Sequence, residues 1–127
     1  MKGRKHVLVV DDDAAIRGAL QRLLWLHGYE PILFSSAAAF KNHTDFYNVV
    51  CVILDVNLGD GSGIELLSGL QTTCSSLPVV CMTGDANPAV RKTALNLGCI
   101  AFVTKPFAVQ ELVEPLKRAA ARRCKDD

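Results

Sequence analysis

A chain of 127 residues, half of them apolar, is long enough for one domain with a real core and too short for a second. Its 14 Lys and Arg nearly balance 13 Asp and Glu, so there is no basic field to hold nucleic acid directly and no acidic tail. The basic start, Met1-Lys2-Gly3-Arg4-Lys5-His6, is followed by only Val7 to Val10 before three aspartates. That run is too short for a signal peptide or a membrane span, so no membrane partner and a cytoplasmic location are expected.

The first apolar run, His6 to Val10, reads as a short strand stopped by Asp11-Asp12-Asp13. Ile16, Ala19, Leu20, Leu23 and Leu24 then recur at helical spacing, and Gly28 stands where such a helix would end. Asp13 is the expected cap, since acids favour helix N-termini. Trp25 falls on the outward stripe with Ala15, Gly18 and Arg22, where it either packs on a neighbouring loop or anchors a partner. Glu30 to Phe34 reads as a second strand at the sheet edge, where Pro31 is tolerated. Ser35 or Ser36 caps a short helix from Ala37 to about Asn42.

Val49 to Leu54 is a continuous apolar run, the mark of a strand buried on both faces, and Asp55 closes it before a Gly-rich turn, Val56 to Gly63. Ser62 would cap a third helix, with Ile64, Leu67 and Leu70 inward and an end near Thr72. Pro78 to Met82 is a fourth buried strand ending in Thr83-Gly84-Asp85. Asp85 or Asn87 caps the next helix, with Pro88 in its first turn and Gly98 after its end. Ile100 to Val103 is the fifth strand, and Thr104-Lys105-Pro106-Phe107 turns into a last helix carrying Leu112, Val113 and Leu116. Pro115 should bend that helix or leave a carbonyl unpaired, and Arg118, Arg122 and Arg123 suit its C-terminus. Five cysteines (Cys51, Cys74, Cys81, Cys99, Cys124) without a C-x-x-C pair read as small core residues. His6, His27 and His43 are scattered and read as surface or edge residues.

Five alternations of strand and helix imply an α/β, doubly wound five-stranded parallel sheet with helices on both faces and right-handed crossovers. The carboxyl ends of its strands converge in one crevice, where ligands bind in such sheets. They deliver Asp11 and Asp12, Asp55, Thr83 and, just past the fifth strand, Lys105. Clustered carboxylates repel one another unless a hard cation sits among them, and magnesium suits an all-oxygen set that leaves room for water and phosphate. A hydroxyl and an ammonium facing that cation suit a phosphoryl group.

The pattern Asp11-Asp12, Asp55, Thr83, Phe102 and Lys105-Pro106 resembles the receiver domain of two-component response regulators, each residue following the expected element in the expected order. The resemblance implies a (βα)5 flavodoxin-like strand order 2-1-3-4-5, a single receiver domain over 1–127 with its core at about 6–122, and Mg2+ as cofactor. It makes Asp55 the phosphoacceptor from a histidine kinase, Asp11, Asp12, Asp55 and the Asn57 carbonyl the metal ligands, and Thr83 and Lys105 the groups that grip the phosphoryl oxygens. Thr83, Phe102 and Pro106 become the switch, with Pro106 after a cis peptide. Asn57 and Asp85, two past the acceptor and two past the threonine, would tune the lifetime of the acyl phosphate, and an amide with an acid is similar to the fast chemotaxis-type receivers. The kinase would dock near Ala15, Gly18, Pro106 and Phe107. An output domain or downstream protein would read the face of the fourth helix, fifth strand and fifth helix, which also allows a homodimer on phosphorylation. Catalysis would extend only to the domain's own phosphorylation and dephosphorylation.

Three other readings are weaker. A magnesium-dependent aspartyl phosphatase sets its two acids differently after the first strand, and Asp11-Asp12-Asp13-Ala14 lacks the threonine it needs. A nucleotide or flavin binder wants a glycine-rich phosphate loop where these aspartates stand. The third reading is a receiver-like module that signals without phosphate.

Overall fold

The structure is a computed structural model and describes residues 3–43, 45–59, 61–73, 76–84 and 87–126. Its elements in chain order are β1 (Lys5–Val10), α1 (Ala14–Leu26), β2 (Tyr29–Phe34), α2 (Ala37–Lys41), β3 (Val49–Asp55), β4 (Asn57–Leu58), β5 (Gly61–Ser62), α3 (Gly63–Thr73), β6 (Val79–Thr83), α4 (Pro88–Asn96), β7 (Ala101–Thr104) and α5 (Val109–Asp126). The main sheet has the order β2-β1-β3-β6-β7, all pairs parallel. Counting only its five strands, that is the expected order 2-1-3-4-5.

All seven residues of β3 are buried, as its unbroken apolar run requires of a central strand. Alternate residues feed two cores. Leu8, Val10, Val52, Leu54 and Cys81 face one side with Phe40 of α2, Leu67 and Leu70 of α3 and Ala94 of α4. Val7, Val9, Cys51, Ile53, Val80 and Met82 face the other with Leu20 and Leu24 of α1 and Leu112 and Leu116 of α5. Helices therefore cover both faces, and each fully buried Leu or Ile contributes about 1.5–3 kcal/mol of burial.

The caps follow side-chain chemistry. Asp13 Oδ1 accepts from Ala15 N at 2.8 Å, Ser36 Oγ from Ala39 N at 3.0 Å, Ser62 Oγ from Ile64 N at 3.1 Å and Asn87 Oδ1 from Ala89 N at 2.9 Å. Gly28 and Gly98, with φ of 93° and 98°, close α1 and α4 in the left-handed region that side chains avoid. The α5 helix runs through Pro115, which removes the donor that the Glu111 carbonyl would otherwise receive.

One detail differs from expectation. The Gly-rich turn after Asp55 contains a two-residue antiparallel ladder, β4 with β5, pairing Asn57 with Ser62. His43 is half-buried at an edge of the fold: its ring lies 5.1 Å from Phe34 and 5.6 Å from Phe46, and its Nε2 is buried without a hydrogen-bond partner. Trp25 is half exposed, and the Arg4 guanidinium stacks 3.6 Å above its ring, a local cation–π contact. Cys51, Cys81 and Cys99 are buried free thiols, and burial pushes Cys51 up to about 12, which makes it inert. Cys74 and the Cys124 side chain lie outside the described residues.

Candidate functional site

Each functional residue stands where its strand ends. Asp11 follows β1 with its side chain fully buried, Asp55 ends β3 at 4% exposure, and Thr83 ends β6 at 0%. Their strands are neighbours in the order β1-β3-β6, so the parallel register brings all three to one edge of the sheet. Lys105 follows β7 and reaches back over β6: its Nζ donates to Asp11 Oδ2 at 2.8 Å and to Asp55 Oδ2 at 3.0 Å. The Lys105–Pro106 peptide is cis, as the resemblance implies.

The backbone serves the site as well. Asp13 N donates to Asp11 Oδ1 at 2.9 Å, and the Arg17 guanidinium donates to the Asp11 carbonyl at 2.8 Å. Asn57 N donates to Asp55 Oδ1 at 2.8 Å, and Gly59 N to Asp12 Oδ2 at 2.9 Å. The β4–β5 ladder fixes the loop that supplies these two amides. Gly63 must be glycine, because a Cβ there would overlap the Asp55 carbonyl and the Val56 Cα.

Asp11, Asp12 and Asp55 each present a carboxylate oxygen within 4.8 Å of the others. Three anionic oxygens at that spacing, two of them on buried residues, form a hard-donor set that fits a divalent cation. Asp12 also lines an open cleft of about 340 Å³ with Asn57, Gly59 and Ser62, which leaves room for water or a phosphate beside the acids. Burial, with Asp11 close by, holds the Asp55 carboxyl above its ordinary value, against the bonds from Asn57 N and Lys105. Burial also works to lower the Lys105 ammonium, but its bonds to Asp11 and Asp55 outweigh it and leave it raised. The causes differ: burial raises Asp55, and the two carboxylate partners raise Lys105.

The sequence matches the response regulator receiver domain over residues 7–117. The chain belongs to that family. Among relatives, the receiver is 34% identical over 119 residues to the transcriptional regulatory protein FixJ of Bradyrhizobium diazoefficiens, covering 94% of this chain and 58% of FixJ. It is 32% identical over 120 residues to the regulatory protein VirG of Rhizobium rhizogenes, covering 94% of this chain and 49% of VirG. The chain thus spans about half to three-fifths of these relatives. Among solved structures, a CheY-like receiver domain from Methanospirillum hungatei superposes with a TM-score of 0.86 at 26% identity, covering 98% of this chain and 100% of the other. The beryllofluoride-activated NtrC4 receiver domain dimer superposes at 0.85 and 26%, covering 92% and 97%.

The receiver's site thus gathers Asp11, Asp12, Asp55, Asn57, Thr83 and Lys105. Phe102 stands apart from it, half-buried on β7 opposite Cys81 and packed on the core that includes Ala94 of α4. Asp85 lies outside the described residues. The sequence did not reveal one feature: the Asn57 side chain is not simply directed at solvent, since its Nδ2 donates to Thr83 Oγ1 at 2.9 Å. The two-residue spacing from Asp55 was visible, but a bond from that position to a residue on another strand depends on register, which a motif does not carry.

Proposed function

We propose that this receiver takes a phosphoryl group from a histidine kinase onto Asp55 and returns it to water. The observation that carries the reading is Lys105 Nζ held at once by Asp11 and Asp55, with Thr83 and the three-acid cluster at the same sheet edge. The Asp55 carboxylate is the nucleophile, attacking phosphorus as the phosphohistidine nitrogen leaves. Asp11, Asp12, Asp55 and the Asn57 carbonyl would hold Mg2+. That cation supplies charge neutralisation for the phosphoryl oxygens and a fixed angle of approach. Lys105, on a flexible stem, can follow from carboxylate to phosphoryl oxygen as a point charge, and the Thr83 hydroxyl has a proton to donate to another. The transition state is loose, so positioning and charge do most of the work and no protein base is needed.

In this reading the new dianion draws Thr83 inward, Phe102 moves into the space released, and the α4-β7-α5 face changes. Phe102 has no hydroxyl to satisfy, so its burial drives that movement. Exposed Leu95 on α4 and Val109 on α5 are on the elements that would meet an output domain, a downstream protein or a second phosphorylated copy. In support of a transcriptional output stands the name of the FixJ relative, and of a dimer that of the NtrC4 neighbour. The kinase docks beside α1 and the Lys105 loop, at Ala15, Gly18, Pro106 and Phe107. Asn57 and Asp85 set the lifetime, and an amide with an acid favours a short one. No helix among the described residues is long and apolar enough to cross a membrane, which agrees with a cytoplasmic site of action.

The test is incubation with magnesium and a small acyl phosphate donor, followed by intact mass. An adduct of one phosphoryl group that needs magnesium and is absent in Asp55→Asn supports the proposal. A folded protein that forms no adduct with either the donor or a phosphorylated kinase contradicts it, as does an adduct that survives Asp55→Asn.

A further inference from the structure

Four residues of the site form a closed circuit of hydrogen bonds. Asn57 N donates to Asp55 Oδ1 at 2.8 Å, and Asn57 Nδ2 donates to Thr83 Oγ1 at 2.9 Å. Lys105 N donates to the Thr83 carbonyl at 2.7 Å, and Lys105 Nζ closes the ring on Asp55 Oδ2 at 3.0 Å. The acceptor carboxylate and the buried threonine are therefore tied together twice, once through Lys105 and once through Asn57.

The four links are not equal. The two to Asp55 end on a carboxylate, and charge-assisted bonds are roughly twice as strong as neutral ones. The bond between Lys105 N and the Thr83 carbonyl continues the β6–β7 pairing, which already sets Thr83 opposite Thr104. The Asn57 backbone is pinned by its ladder with Ser62. The link from Asn57 Nδ2 to Thr83 Oγ1 is the one neutral bond between two side chains, and it requires only a side-chain rotation to break. A change at Asp55 that moves the Thr83 hydroxyl opens the ring there first.

We propose that the Asn57 side chain is a positioning residue for Thr83: its amide holds the hydroxyl in the resting place and so sets how readily the threonine turns towards a phosphorylated Asp55. The inference rests on the receiver reading for what the movement accomplishes, but the bond itself belongs to the unphosphorylated chain. A group that favours one of two states shifts their ratio only by what it gains in that state and loses in the other. A hydrogen bond of ordinary net strength present in the resting state alone makes the turned state about two- to tenfold rarer. The same residue contacts the acceptor through its backbone N–H, so one residue links the site of charge gain to the group that responds.

The test uses the full 127-residue chain as wild type, Asn57→Leu, Thr83→Val and the double variant, with Thr83→Ser as the substitution that keeps the hydroxyl. Backbone amide shifts of β6, α4 and β7 are recorded at rest and after phosphorylation. Asn57→Leu should move the resting shifts towards the phosphorylated end, with the turned-to-resting ratio raised about two- to tenfold. The effect should persist in Thr83→Ser and vanish in Thr83→Val, where there is no hydroxyl to hold. Resting shifts at β7 that do not move in Asn57→Leu overturn the inference, and so does an effect of equal size with and without the Thr83 hydroxyl. Phosphorylation of the wild type is scored separately by mass. If it takes no phosphoryl group, the receiver chemistry fails on its own, and urea unfolding of the same variants decides the inference. Losses from Asn57→Leu and Thr83→Val that are coupled uphold the bond's hold on Thr83, and additive losses overturn it.

Discussion

Lys105 and Asp55 meet across 50 residues of chain at 3.0 Å, and the same lysine nitrogen lies 2.8 Å from Asp11 Oδ2. One ammonium thus screens two carboxylates that their strands force together. Replacing it with an apolar chain of similar length, Lys105→Met, leaves Asp11 and Asp55 facing each other without a cation. Removing one partner of a buried charge group is costly, and with Lys105 still 17% exposed the expected loss is about 1–3 kcal/mol at neutral pH. Urea unfolding without divalent ions measures it, and the loss should shrink in acid as Asp55, held above its ordinary value by burial, takes up a proton.

Asp55 gives a pH dependence of defined sign. Burial, with the Asp11 charge nearby, raises its folded value above the unfolded one, against the bonds from Asn57 N and Lys105. Its contribution to stability is therefore fully present below the unfolded carboxylate value of about 3.9 and is lost as pH rises through the raised folded value. At neutral pH the ionised side chain is a net cost. Asp55→Asn should raise the thermal midpoint at neutral pH without divalent ions, and the gain should fade towards pH of about 4 and below. A variant less stable than wild type at neutral pH would show that the bonds outweigh burial.

The acid cluster predicts stabilisation by a divalent cation. Magnesium at about 100 times its dissociation constant should add about 2.7 kcal/mol to the unfolding free energy, and chelation should remove it. Asp12→Ala takes away one carboxylate while leaving both partners of Lys105 in place, so binding should weaken tenfold or more, on the order of the loss of one charged ligand. A magnesium titration of the thermal midpoint compares the two.

Gly63 tests the backbone beneath the acceptor. Its missing side chain leaves room for the Asp55 carbonyl and the Val56 Cα, and a Cβ would strike backbone that cannot rotate away. Gly63→Ala should destabilise by about 1–3 kcal/mol, the usual cost of overpacking, and slow phosphoryl transfer by displacing the end of β3. Gly69, where a Cβ meets nothing within 4 Å, is the control: Gly69→Ala in α3 should be neutral or mildly stabilising.

The sheet order and the convergence of Asp11, Asp55, Thr83 and Lys105 were legible because continuous apolar runs mark central strands and each run ends in a polar residue. Strand ends moved by one residue: β6 takes in Thr83 and β7 takes in Thr104. The ladder after Asp55 was hidden because two-residue strands have no periodicity. The ring contacts of His43 were not visible because Phe34 and Phe46 lie on other segments, outside α2. The bond from Asn57 to Thr83 was out of reach for the same reason, since it joins β4 to the end of β6, which only the β3–β6 register brings together. Local patterns carry local structure, and contacts between distant segments follow only once the register is known.

The most direct measurement is the position of the phosphoryl group on the chain. After incubation with magnesium and an acyl phosphate donor, borohydride reduces an aspartyl phosphate to homoserine, and peptide sequencing by mass locates the altered residue. The account predicts homoserine at position 55 alone, dependent on magnesium. Homoserine at position 11 or 12, or none in a chain that also refuses phosphate from a kinase, would contradict it.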